Sequence, residues 1–304
     1  MTDAGWEEAE LDLLGLLAAL EREAAFLAPI GELRVLGLGF YSRVLETESG
    51  WIVRVARTAD AAYRHAYETR TLPALAPLLG VAIPEPVTAL PPSEAAPFGA
   101  IAYRSLLGRV MVREETTEGN WQSLAQQLGQ EVARLHDASL PREVTGGLHT
   151  FDPEDFADLR AQIAAPLRAR LMAGEWEKVD AWWEQFRADP TLRTWENVLT
   201  HGDIWWGNLL VEGGRISGIL DWEFLSVGDA AWDLGTMRQF GDAFYEAVVD
   251  EYCQHRQLDS NWRHRADQWW ALRTFFGVQF AVEREDEGEW VDSLRKLREG
   301  PILG

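Results

Sequence analysis

The apolar positions change their period partway along the chain. From Glu7 to Phe26 Leu and Ala recur among Glu at helical spacing, which predicts one helix ended near Pro29. The pattern then becomes that of strands, over Leu33–Leu36, Arg43–Glu48 and Trp51–Val55, with Ser49-Gly50 as the turn between the last two. Asp60 is placed to cap a helix over Ala61–Leu72. Two further strands are expected over Val81–Leu90 and Gly99–Tyr103, flanking a turn-rich loop from Pro91 to Pro97. From Trp121 onward helices dominate. Leu124, Leu128, Val132 and Leu135 mark a helix over Trp121–His136, followed by Asp152–Leu171 and Glu175–Ala188. Four more are expected over Ala230–Met237, Ala243–His255, Asn261–Glu283 and Trp290–Arg298.

One hairpin interrupts these helices, and it carries the candidate chemistry. Leu209–Val211 is an apolar strand, Glu212–Arg215 a turn, and Ile216–Leu220 the returning strand. Paired strands lie about 4.8 Å apart, so Asn208 and Asp221 at the two ends should sit side by side. There their oxygens can share a Mg²⁺ ion. Asp203 precedes Asn208 in the pattern D-x-x-x-x-N, the spacing of a kinase catalytic loop, and can face the hydroxyl that attacks a phosphate. A second candidate is the loop Gly37-Leu38-Gly39-Phe40-Tyr41-Ser42. Glycines also serve simple turns, so G-x-G alone is weak evidence. This loop runs from strand to strand, whereas a dinucleotide-binding fingerprint would run from strand to helix.

Composition narrows the partners. The 304 residues are 47% hydrophobic, which is ample for a buried core in one large domain or two lobes. There are 49 acidic and 28 basic residues, for a net charge of −21. Such a chain repels the backbones of DNA and RNA and disfavours anionic membranes. It attracts Mg²⁺ and amine-bearing substrates, although acidity also serves solubility alone. Cys253 is the single cysteine, which excludes an intrachain disulfide. The six His show no metal-ligand spacing. No signal peptide is evident, and Leu13–Leu20 falls far short of a membrane span, so a cytoplasmic protein is expected. The 15 Trp are unusually many, with Trp205 and Trp206 inside the candidate loop. Their faces suit a cationic substrate, and their bulk equally suits a core.

Three motifs together, His201-Gly202-Asp203 with Asn208, Leu220-Asp221-Trp222, and Gly228-Asp229 with Asp233-Leu234, resemble the aminoglycoside phosphotransferase family. That family is a small-molecule branch of the protein-kinase-like fold and includes antibiotic, choline, ethanolamine and fructosamine kinases. Gly202-Asp203-Ile204-Trp205 is similar to the fructosamine kinases, whereas Asp221-Trp222-Glu223 departs from the Asp-Pro they resemble there. The similarity runs from about Leu33 to Leu234.

The resemblance implies an α+β, two-lobed protein-kinase-like fold. A small antiparallel β lobe over residues 1–105 would bind nucleotide, and a larger, mostly helical lobe over 106–304 would carry catalysis and substrate. The nucleotide would lie in the cleft. The implied activity is Mg²⁺-dependent transfer of the γ-phosphate of ATP or GTP to a small-molecule alcohol. Asp203 would accept or orient the hydroxyl proton, and Asn208 and Asp221 would hold the metal. Gly37, Gly39 and Ser42 would cover the phosphates, the Ser42 hydroxyl either bonding phosphate or stabilising the turn. Arg54 stands where protein kinases carry a lysine, and Glu68 is its expected partner. The alternatives are a surface Arg54, and an Arg64–Glu68 pair within the helix. His201 would hold the loop backbone, Asp229 would cap a helix, Asp233 would brace the catalytic loop, and Gly228 would permit a turn. A nucleotide-binding pseudoenzyme or scaffold remains the competing reading. A protein kinase is disfavoured, since neither D-F-G nor A-P-E occurs.

Overall fold

The computed structural model describes residues 12–39, 41–151 and 156–304. The start of the first expected helix, Phe40 of the glycine loop, and the start of the helix expected from Asp152 lie outside them. The chain divides into two compact units, one of residues 12–107 with 140–147, the other of 108–139 with 148–304.

The first unit opens with α1 (Leu13–Glu23). Five strands follow: β1 (Arg34–Leu38), β2 (Ser42–Glu46), β3 (Trp51–Ala56), β4 (Val87–Leu90) and β5 (Ala100–Arg104). They form one antiparallel sheet in the order β1-β2-β3-β5-β4. Helix α2 (Ala59–Leu75) lies between β3 and β4 in sequence. Side chains alternate across a strand, so Val53 and Val55 share one face. There they join Leu45, Ala100 and Ala102 in a core closed by Leu16 and Leu20 of α1. Arg54 belongs to the opposite face.

Three expectations for this unit are corrected. The cap of α2 is Thr58, whose hydroxyl accepts the Ala61 amide at 3.1 Å. The helix starts two residues earlier than its apolar pattern suggests, and Asp60 pairs with Arg64 inside the first turn (2.9 Å). The strand expected from Val81 is confined to Val87–Leu90, because Pro84 and Pro86 offer no N–H to a ladder. The glycine loop is also shorter. Gly37 and Leu38 pair with Val44 and Arg43, so the first half of the expected loop belongs to the ladder.

The second unit contains β6 (Arg109–Val110), α3 (Trp121–Asp137), β7 (His149–Thr150), α5 (Phe156–Arg170), α6 (Ala173–Ala188) and β8 (Asn197–Thr200). The short α4 (Arg142–Thr145) falls in the first unit, where its Val144 carbonyl accepts from Arg70 and Thr71 of α2. Then come β9 (Leu209–Glu212), β10 (Arg215–Ile219), β11 (Ser226–Asp229), α7 (Ala230–Thr236), α8 (Asp242–His255), α9 (Trp262–Arg284) and α10 (Glu287–Glu299). The hairpin β9–β10 extends to β6, and β11 pairs antiparallel with β8 and parallel with β7. Gly228 makes no turn. It lies within β11, where a Cβ would stand 2.8 Å from that of Phe151, so close packing demands glycine. Trp183, Trp222, Trp232, Trp262, Trp269 and Trp290 are buried, and for these the core reading holds. Among the described residues no helix is long and apolar enough to cross a membrane.

Candidate active site

In the first unit the chemistry centres on the middle strand of the sheet. Arg54 of β3 donates from Nη1 to Glu68 Oε2 at 2.5 Å and from Nη2 to Oε1 at 3.3 Å. The two residues are only 5% and 0% exposed, which excludes a surface Arg54. A buried charge persists where an opposite charge meets it, and losing either partner strands the other. Ser42 is buried at the start of β2, its hydroxyl 2.9 Å from His65 Nε2. Burial, then the nearby Arg54, pushes the His65 pKa down to about 3, so the imidazole is neutral. The Ser42 hydroxyl thus meets a neutral, buried ring on α2. The Gly39 amide donates to the Ser42 carbonyl at 2.9 Å and closes the turn. A Cβ on Gly37 would meet nothing within 4 Å, so packing within the protein does not require glycine there.

In the second unit the loop 201–208 joins β8 to β9. Gly202 has φ +87°, and a Cβ on it would stand 2.8 Å from the Phe224 carbonyl oxygen, so only glycine fits. Asn208 donates from Nδ2 to the Asp203 carbonyl at 2.9 Å and stands 3.4 Å from Asp203 Oδ2. The Leu220 amide donates to the Asn208 carbonyl at 2.8 Å, which brings the hairpin ends into register and places Asp221 next to Asn208's partner. Asp221 is exposed and adopts φ +60°. That left-handed conformation is uncommon outside glycine and recurs at functional sites.

His201 ties these parts together. Its Nδ1 accepts the Asp203 amide at 3.2 Å, which leaves the proton on Nε2 to donate to the Leu220 carbonyl at 2.9 Å. Burial holds its pKa below the ordinary value, against the opposing pull of Asp233. It is a neutral clamp from the loop to the strand end before Asp221, not a base. Asp233 of α7 accepts the His201 and Gly202 amides at 2.8 and 2.7 Å, and His136 of α3 meets its Oδ2 at 3.2 Å. Burial alone would raise the Asp233 pKa. The His136 hydrogen bond and charge, His201 and the Gly202 amide outweigh it and hold the carboxyl below the usual range.

The sequence reading missed the part played by α9. Arg265 and Trp269 both donate to Asp229, at 2.7 Å from Nε and 2.8 Å from Nε1 to its Oδ2. Asp229 also caps α7 through the Ala231 amide at 3.1 Å. Arg273, on the same side of the helix, donates to Asp203 Oδ1 at 2.6 Å and to the Gly202 carbonyl at 3.1 Å. The available signal was two arginines spaced four residues either side of a Trp in a helix of otherwise apolar stripe.

The donors fit a magnesium ion. With its Nδ2 committed to Asp203, Asn208 has its amide oxygen left, and Asp221 adds a carboxylate. Among the described residues no group of three or more His, Cys, Asp or Glu converges. Few protein oxygens suit Mg²⁺, which keeps waters and takes substrate phosphate oxygens rather than a full protein cage.

A strand Arg paired with a helix Glu, and a braced Asp-x-x-x-x-Asn loop, are each features of kinase-like phosphotransferases. Residues 32–294 match the phosphotransferase enzyme family (APH), and the chain belongs to that family. Its overall structure is similar to the GDP and kanamycin complex of APH(2")-IIIa, with a TM-score of 0.82 at 16% identity over 94% of this chain and 98% of that one. The apoenzyme of macrolide 2'-phosphotransferase MphH from Brachybacterium faecium gives a TM-score of 0.65 at 24% identity, covering 94% of this chain and 97% of that one. In sequence the chain is 24% identical over 235 residues to the uncharacterized protein YcbJ of Bacillus subtilis (strain 168), covering 73% of this chain and 74% of that protein. The fold is therefore the mixed α and β fold of the aminoglycoside and macrolide phosphotransferases, and the protein is a phosphotransferase.

Proposed function

We propose that this protein transfers the γ-phosphate of ATP or GTP to a hydroxyl of a small molecule, with Mg²⁺. The observation that carries the reading is Asp203, held by Arg273 and Asn208 on a loop whose every turn is braced. A pure binding module has no need of a carboxylate so fixed. Asp203 orients the attacking hydroxyl and takes its proton. Asn208 and Asp221 would hold Mg²⁺, which when bound neutralises charge on the phosphates. Arg54, steadied by Glu68, offers its fork to phosphate oxygens. Gly37 and Gly39 let the backbone approach them, and at Gly37 the space a side chain would fill is open. Phosphoryl transfer needs positioning and charge neutralisation above all, and these residues supply both. A purine nucleotide donor is supported by the GDP in the APH(2")-IIIa complex. We place the reaction in the cytoplasm, where such nucleotides abound.

The test is a coupled nucleotide-consumption screen with MgATP and MgGTP across aminoglycosides, macrolides, choline-like amines, amino alcohols and ketosamines. Asp203→Asn serves as the control. Turnover with at least one acceptor, lowered about 10²–10⁴-fold in the variant, supports the reading. Nucleotide binding with neither transfer nor hydrolysis points instead to a scaffold, and near-normal turnover in the variant would falsify the role of Asp203.

A further inference from the structure

Arg273 touches neither metal nor phosphate in the chemistry proposed above, yet its guanidinium holds the carboxylate at the centre of it. One fork contacts two points of the catalytic loop, Asp203 Oδ1 at 2.6 Å and the Gly202 carbonyl at 3.1 Å. Two parallel donors from one rigid plane fix the carboxylate relative to its own backbone, which a single point charge cannot do. The opposite carboxylate oxygen is held less well. Asn208 Nδ2 stands 3.4 Å from Oδ2, at the long limit for a hydrogen bond. Oδ1 is therefore the anchored oxygen, and Oδ2 is the one left for a proton.

The helix that presents Arg273 is itself fixed. Two turns earlier, Arg265 is bonded to both Asp229 and Asp259, and Trp269 between them also holds Asp229. Trp232 Nε1 donates to the same Gly202 carbonyl at 3.3 Å. Arg273 thus has a defined height against the loop, set by buried groups. The Arg273–Asp203 pair is by contrast partly open to solvent, at 25% and 22% side-chain exposure. An ion pair that exposed adds little to stability. Its value must lie elsewhere.

We infer that Arg273 is a positioning residue for Asp203, selecting the carboxylate rotamer in which Oδ2 meets the attacking hydroxyl. The inference rests on the phosphotransfer reading of Asp203. Misplacing a reacting group by about 1 Å costs on the order of 10²-fold in rate. Arg273→Gln should therefore lower the turnover of MgATP or MgGTP hydrolysis, with water as acceptor, by about 10²-fold, with the nucleotide KM and the melting temperature unchanged. Arg273→Lys should fall between Gln and wild type, since it keeps the charge and loses the fork. Added guanidinium should restore part of the rate to Arg273→Ala. In an Asp203→Asn background Arg273→Gln should cost nothing further, because its effect passes through Asp203. Wild-type turnover in Arg273→Gln, or losses that multiply in the double variant, overturns the inference provided Asp203→Asn alone is slow. If Asp203→Asn alone is fast, the phosphotransfer reading fails first. A crystal structure of Arg273→Gln gives an answer independent of activity: an Asp203 side chain still in its present rotamer overturns the inference, and a swung one upholds it.

Discussion

Asp233 accepts the backbone N–H of His201 through Oδ2 at 2.8 Å, from a helix that begins 29 residues later in the same unit as the loop, at Ala230. Its other oxygen takes the Gly202 amide at 2.7 Å. Two successive N–H groups of the catalytic loop are thus satisfied by one fully buried carboxylate. Asp233→Asn offers one acceptor where two are needed and turns an NH₂ toward a donor. The expected cost is about 1–3 kcal/mol of stability in urea unfolding, with turnover reduced as the loop loosens. A change within error of zero in both would show that the loop does not depend on this brace.

Removing the proposed metal ligands should act on nucleotide binding. Asp221→Ala is expected to abolish the Mg²⁺-dependent part of nucleotide affinity, and Asn208→Ala to weaken it. Calorimetric titrations with and without Mg²⁺ read this directly. Equal affinities in both variants and wild type at each metal level would rule out the site.

The buried Arg54–Glu68 pair calls for a double-mutant cycle. Arg54→Ala removes the fork and leaves Glu68 stranded, and charge-assisted bonds are worth roughly 1.5–3 kcal/mol. At about 1.4 kcal/mol per factor of ten, nucleotide affinity or turnover should fall at least tenfold. Arg54→Lys should be milder, and Glu68→Gln should produce a smaller defect of the same kind. The cycle should show coupling. Simple additivity would mean that the two side chains do not act as a unit.

Acid should destabilise the protein through His65. Its folded pKa is about 3 against an ordinary 6.5. Between those values the unfolded chain binds a proton that the native state refuses, so stability is complete above pH 6.5 and falls as the pH drops below it. The limiting slope for one proton is about 1.4 kcal/mol per pH unit. His201, shifted in the same direction, adds to the loss. Unfolding titrations at a series of pH values below 6.5, above the carboxylate range, should show a shallower slope for His65→Asn than for wild type. Identical slopes would mean that His65 is already protonated in the native state.

What could be read from the sequence was local. Asp203, Asn208 and Leu220, the residue before Asp221, fall within one loop and hairpin, so their spacing alone links them. The Trp121 helix announced itself through its apolar stripe, ending within one residue of expectation. Arg54 and Glu68 required one strand-to-helix step, which the order of elements supplied. What was hidden depends on distant partners. Arg273 meets Asp203 across 70 residues, and His136 meets Asp233 across 97. Strands as short as β7 have too few residues to show a period, and only pairing with β11 makes them strands. Ser42 stays open to two readings because a hydroxyl beside a glycine turn suits a ligand as well as it suits a histidine 23 residues away. Gly228 misled because glycine signals a turn and a tight crossing alike.

Arg265, Trp269 and Arg273 grip three different aspartates from one face of α9, so the helix works only in one phase. Each added or deleted residue rotates everything beyond it by about 100°. One insertion between Trp269 and Arg273 would carry the guanidinium around the helix and away from Asp203 while leaving Arg265 on Asp229. Relatives that share this arrangement should therefore vary in length before Trp262 or after Arg284, and keep an unbroken count in the eight steps from Arg265 to Arg273.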